Sequence, residues 1–86
     1  MPESPALTAA WQQADVHRAQ GDLAAARQVL EPATDVAKAA FGPDHPDVLA
    51  TQQRLALVHR DLGDWPAARR VLEEALANGQ VRYGDA

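Results

Sequence analysis

Apolar side chains return every three or four positions in four separate stretches of this chain of 86 residues, the spacing of helices with one buried face. The first stretch carries Leu7, Ala10, Ala14 and His17 on one side. The second carries Leu23, Ala26, Val29, Leu30, Ala33, either Val36 or Ala37, and Phe41. The third carries Val48, Leu49, Leu55, Ala56, Val58, His59 and Leu62, and the fourth Ala68, Val71, Leu72, Ala75 and Leu76. Helix-breaking residues separate them. Ser4-Pro5 predicts a helix start, with serine as cap and proline at the first helical position. Gly21-Asp22 and Gly63-Asp64 each predict a stop followed at once by a new start, since glycine suits the left-handed turn and aspartate caps the next helix. Between the second and third stretches Gly42 ends one helix and Pro43 prevents its continuation. Asp44 or His45 then caps the next, with Pro46 in its first turn and Asp47 favoured by the helix dipole. Trp65-Pro66 opens the fourth helix. Asn78-Gly79 is a weak stop, because a glycine inside a helix costs only about 1 kcal/mol against alanine, and the helix is expected to continue toward Arg82. Pro32 falls inside the second helix, where it removes the bond to Gln28, and a bend or short break is predicted there.

The four stretches are two copies of one pattern. An offset of 42 residues lays Gly21-Asp22 on Gly63-Asp64, His17-Arg18 on His59-Arg60, Val29-Leu30-Glu31 on Val71-Leu72-Glu73, and Phe41-Gly42 on Tyr83-Gly84; 15 of the 39 positions from Ser4 to Gly42 are identical in the second copy. The prediction is a single all-α domain over residues 1–86, with one helix pair at about 4–42 and another at about 46–84. Ala14 and Ala26 in the first copy, like Ala56 and Ala68 in the second, are small enough for antiparallel helices to nest closely, with Leu30 and Leu72 filling space beside them.

Composition narrows the class of partner. Twelve acidic and eight basic residues give a net charge of -4, without the basic face that duplex DNA or RNA requires. There is no cysteine, so a reducing compartment fits, and no apolar run nears the ~20 residues of a bilayer span. A soluble, cytoplasmic protein is expected. The preference for arginine over lysine, with abundant alanine, points to a GC-rich bacterial source.

The alanines flanking each Gly-Asp turn (Ala14, Ala26 and Ala33; Ala56, Ala68 and Ala75), together with the joint Phe41-Gly42-Pro43-Asp44-His45-Pro46-Asp47, resemble tetratricopeptide repeats. The usual period is about 34 residues; the longer period here is similar to the repeats of kinesin light chains and of many bacterial regulatory proteins. About eight extra residues per repeat would lengthen the second helix of each pair by about two turns. The resemblance implies tandem antiparallel hairpins in a short right-handed solenoid, acting by holding a protein or peptide. It also implies that the first helix of each pair lines a concave groove. By position these residues are Thr8, Trp11, Gln12, Asp15 and Arg18, then Ala50, Gln53, Arg54, Leu57, Arg60 and Asp61. Trp11 and Leu57 are the large apolar groups among them, and three arginines against two aspartates favour an acidic segment. Two departures stand out. Gln13 replaces an apolar residue, which marks the first helix as a terminal one, and Gln53-Arg54 stands where the longer repeats often carry asparagines.

Solenoid units bury their faces on neighbours, and roughly three are usual for stability. A two-repeat chain is therefore expected to self-associate as a dimer, through an edge on the fourth helix comprising Val71, Leu76, Val81 and Tyr83. The alternative expectation is a terminal segment of a larger bacterial signalling or transcription regulator, or an accessory subunit of an enzyme. No cofactor or metal is expected. His17 and His59 lie one repeat apart and are expected at helix contacts, with His45 as a cap, whereas a metal needs three or four converging ligands. Trp65, opposite Leu23, is expected to plug the second turn. Arg27 with Glu31, and Arg69 and Arg70 with Glu73 and Glu74, have the spacing of solvated ion pairs. No phosphate loop, nucleophile elbow or desolvated carboxylate pair suggests an enzyme.

Overall fold

The computed structural model describes the backbone of residues 5–83 and the side chains of residues 5–79. Four helices follow one another: α1 (Pro5–Ala19), α2 (Leu23–Phe41), α3 (Pro46–Asp61) and α4 (Trp65–Tyr83). Ser4, the expected first cap, lies outside the described residues. The second helix of each pair is the longer, with 19 residues in α2 and in α4 against 15 in α1 and 16 in α3. α4 runs through Asn78-Gly79, as the pattern of the first copy predicted.

The two tight turns are copies in geometry as well as sequence. Gly21 and Gly63 take φ of 79° and 82°, the left-handed region where a side chain is strained. In the first, the Asp22 N–H donates to the His17 carbonyl at 2.8 Å and the Gly21 N–H to the Arg18 carbonyl at 3.0 Å; in the second, Asp64 to His59 is 2.8 Å and Gly63 to Arg60 is 2.9 Å. These are the paired bonds of a Schellman stop. The same aspartates then start the next helix, Asp22 Oδ1 accepting from the Ala25 N–H at 3.1 Å and Asp64 Oδ1 from the Ala67 N–H at 3.3 Å. One residue thus ends one helix and caps the other, which forces each pair into a close hairpin.

At the central joint Gly42 closes α2 with φ 94°. Of the two candidate caps, His45 fills the position: its Nδ1 accepts from the Asp47 N–H at 3.0 Å. Its ring also lies 5.0 Å from that of Phe41. Phe41 packs on Leu7, Ala37 and Val48, so the joint is anchored to the core.

The core is built on α3. It packs against α2 on one side and α4 on the other, α1 packs on α2, and α2 and α4 make no close backbone contact. Val48 and Val58 are fully buried and Leu55 nearly so. Leu55 and Val58 sit against Ala14, Ala26 and Leu30, and Val48 against Leu7 and Ala37. Ala14 and Ala26 are fully buried, and Ala56 and Ala68 are buried in the second pair, as expected. Of the two alternatives on α2, Ala37 faces inward and Val36 is 68% exposed. His59 is buried and His17 half-buried.

Three expectations need correction. α2 does not break at Pro32; it is continuous from Leu23 to Phe41, with buried Ala26, Leu30, Thr34 and Ala37 holding the turns on either side of an exposed proline. Leu72 does not fill space beside Ala68 but is 43% exposed, whereas its counterpart Leu30 is fully buried. Trp65 does not plug its turn and is 63% exposed. The last two share a cause: α3 covers this face of the first pair, and no helix among the described residues covers it in the second.

Because Pro32 is exposed and α2 is unbroken around it, Pro32→Ala restores the missing bond to Gln28 without disturbing packing. It should stabilise the chain by up to about 3 kcal/mol in urea unfolding followed by circular dichroism. Lower stability in the alanine variant would show that the proline is needed where it stands.

Candidate functional site

The groove residues inferred from the resemblance come together along the seam where α1 meets α3, but most of their polar groups are already engaged there. The Trp11 indole N–H donates to Thr51 Oγ1 at 2.7 Å, and that hydroxyl donates in turn to the Asp47 carbonyl at 2.7 Å. The Arg54 guanidinium lies 4.7 Å from the centre of the Trp11 ring and 3.7 Å from Asp15. Arg18 reaches Asp61 at 3.3 Å, and Arg60 reaches the other oxygen of the same carboxylate at 3.4 Å. Trp11 is half-buried and touches both core clusters, so it ties the two repeats together rather than standing clear as an anchor. Thr8, Ala50 and Leu57 are also half-buried, while Gln12 and Gln53 are exposed. Each ion pair at such exposure contributes at most about 1 kcal/mol. They set the charge of the seam more than its stability.

A different surface carries the unsatisfied apolar area. Trp65, Leu72 and Leu76 are 63%, 43% and 66% exposed, and all three stand on α4. With Ala56, Leu57 and Ala68 they line one open cleft of about 580 Å³, rimmed by Gln53, Arg60, Arg69 and Glu73. The ion pair of Arg69 with Glu73 measures 3.0 Å. This open end is the repeat-equivalent of the face that α3 covers in the first pair: Ala56, Ala68 and Leu72 correspond to Ala14, Ala26 and Leu30. The signal was present in the sequence. Three positions on this surface gain apolar bulk from the first copy to the second, Asp15 becoming Leu57, Leu23 becoming Trp65, and Thr34 becoming Leu76. Of the expected self-association edge, Leu76 stands on this surface. Val71 is half-buried and packs against the core, and the side chains of Val81 and Tyr83 lie outside those described.

On the opposite side, between α2 and α4, a second cleft of about 540 Å³ has Gln52, Leu55 and His59 as its floor. Its walls are charged in both senses, and Lys38 of α2 pairs with Glu74 of α4 across it. Gln52 Oε1 and His59 Nδ1 are buried without a hydrogen-bond partner. They have no accessible surface through which a ligand could reach them. Among the described residues no three histidine or acidic side chains converge as a metal site would need, and no helix is long and apolar enough to cross a membrane.

The role of Trp11 at the seam gives a direct prediction. Trp11→Phe keeps the bulk but removes the bond to Thr51 and weakens the stacking of Arg54, and should cost about 1–2 kcal/mol of folding stability in urea titration. An unchanged midpoint and slope would show that the seam does not depend on the indole.

A profile of the tetratricopeptide repeat family matches residues 6–80, spanning all three turns and nearly all of the four helices. No curated protein and no solved structure gives a significant match. The repeated Schellman turns, the buried alanine pairs and this match agree, and the chain belongs to the tetratricopeptide repeat family.

Proposed function

We propose that this chain is a non-catalytic module that holds another protein, chiefly by its open end. Tetratricopeptide repeats are in general protein–protein interaction modules. The observation that carries the reading is the unequal burial of equivalent residues, Leu30 fully covered and Leu72 43% exposed. The covered copy shows what fits. It receives one face of an amphipathic helix whose aliphatic residues are spaced as Val48, Leu55 and Val58 are. The uncovered copy is more apolar because of Leu57, Trp65 and Leu76, so an amphipathic helix with an apolar face suits it. Self-association through the α4 edge is one form of this docking. The alternative, a terminal segment of a larger bacterial regulator or an accessory subunit of an enzyme, would fill the same face with a further repeat or a foreign helix. The absence of cysteine and the arginine- and alanine-rich composition support a bacterial, cytoplasmic setting.

A second reading concerns the α1–α3 seam, the expected concave groove, as a site for an acidic peptide. One observation favours it: Asp61 serves both Arg18 and Arg60, so the three arginines outnumber the carboxylates that neutralise them. An acidic segment would run past Gln12, Gln53 and Arg60 on the exposed side, and the overall negative charge disfavours nucleic acid as the partner.

Each reading has its own assay. Titration of the chain with a synthetic peptide of residues 46–61 should move the emission of exposed Trp65 to shorter wavelength in a saturable way. The shift should vanish with Leu76→Glu in the chain. No shift at any peptide concentration would remove the open end as a docking face. For the seam, a glutamate-rich peptide should bind with an affinity that falls steeply with added salt. Arg54→Ala together with Arg60→Ala should abolish that binding, and equal binding by parent and double variant would dismiss the groove.

A further inference from the structure

We infer that the occupant of the open end is a second copy of this chain, joined tail to tail about a twofold axis along α4. The inference rests on the preceding reading that this face docks protein, and adds which protein and in what arrangement. It begins with the two ends of the stack, which are not alike. The face of α3 that fills the first pair presents Val48, Leu55 and Val58, all buried. The corresponding residues of α1 are Ala6, Gln13 and Val16, all exposed. Two of the three aliphatic knobs are therefore missing at the other end of the chain. A head-to-tail stack would set alanine and glutamine against Trp65, Leu72 and Leu76, leaving voids and a buried amide. Such a heterologous contact would also build open filaments unless its rotation closed a ring.

A tail-to-tail contact has neither fault, because the open end is complementary to itself. Its apolar residues follow α4 as Trp65, Ala68, Leu72 and Leu76, one stripe of a helix. Two such stripes crossing antiparallel midway between Ala68 and Leu72 bring Trp65 of one copy to the partner's Leu76, with the small Ala68 allowing close approach. The rim is matched as well. Arg69 and Glu73 carry opposite charges one turn apart on the same side of the cleft and are 81% and 63% exposed. The same axis exchanges them, so that each Arg69 meets the partner's Glu73 and no like charges oppose one another. Arg60 at the edge pairs with Asp61, which it shares with Arg18. A face whose apolar stripe and charges both pair under a twofold operation fits an isologous dimer.

Sedimentation of the chain from low to high micromolar concentration tests this. The expected mass rises to that of a dimer and stops there, with a parallel blue shift of emission that Trp65→Phe removes. Leu76→Glu should weaken association by roughly a hundredfold, because both leucines of the dimer lose their cover. Leu76 is 66% exposed in the single chain, so its helical content should be unchanged. Charge exchange then tests the axis: Arg69→Glu alone and Glu73→Arg alone should each associate poorly, and their equimolar mixture should recover dimer. A chain that stays monomeric throughout, yet still binds the peptide of residues 46–61, would overturn the second copy while leaving the docking face intact. Failure of both would overturn the two together. Mass that keeps growing past two copies, or a mixture of charge variants no better than its parts, would overturn the twofold arrangement.

Discussion

Everything in this fold depends on α3 being held between two other helices, and that rests on small residues, Ala14 and Ala26, at its contact with the first pair. Ala14 and Ala26 are fully buried, and Leu55 and Val58 of α3 occupy the room that larger side chains would fill. A chain this short has little apolar area to spare. Close approach of backbones substitutes for bulky core residues, and dense packing supplies attraction that a loose arrangement would forfeit. The turns serve the same end. A single aspartate that closes one helix and caps the next leaves no slack, so each hairpin presents its alanines to its partner in a fixed register.

That constraint also accounts for the asymmetry of the molecule. A stack built by seating one helix on the preceding pair presents different faces at its two ends. At the α1 end the sequence has retreated to Ala6, Gln13 and a lone Val16. At the α4 end it has advanced, with Trp65, Leu57 and Leu76 replacing a leucine, an aspartate and a threonine. Repeats of one ancestry have been fitted to two different surroundings. Exposed apolar groups of this size on one helix mark a contact surface better than isolated exposed residues would.

Much of the architecture was legible before any coordinates. Four helices, the Gly-Asp turns, the facing alanines, the central joint and the continuation of α4 past Gly79 all follow from spacing and helix-end chemistry, because local rules govern them. The misjudged positions are those where tertiary context decides. Periodicity assigns Leu72 to the inner face of α4, correctly, but cannot say that no further helix lies over it. The offset matches Trp65 to Leu23, yet the larger residue stands out because none of the described residues covers it. Pro32 costs its helix a hydrogen bond, but with buried residues on each side the helix runs on without a break. At the seam, position alone sets arginines and aspartates along one surface. Their pairing with one another, and the bond of Trp11 to Thr51, are distances between residues some 40 apart, and no local pattern in the chain reports them.

The most direct test of the account is a comparison of two substitutions on one helix, Ala26→Leu and Ala24→Leu, by urea unfolding at low protein concentration. Both add the same side chain to α2, but Ala26 is fully buried beneath α3 while Ala24 faces solvent. If close approach through alanine holds the stack together, the leucine at 26 should destabilise by about 1–3 kcal/mol, with the one at 24 near neutral. Equal and small effects at both positions would contradict it, for the helices would then be far enough apart that the alanine at the contact has no special part.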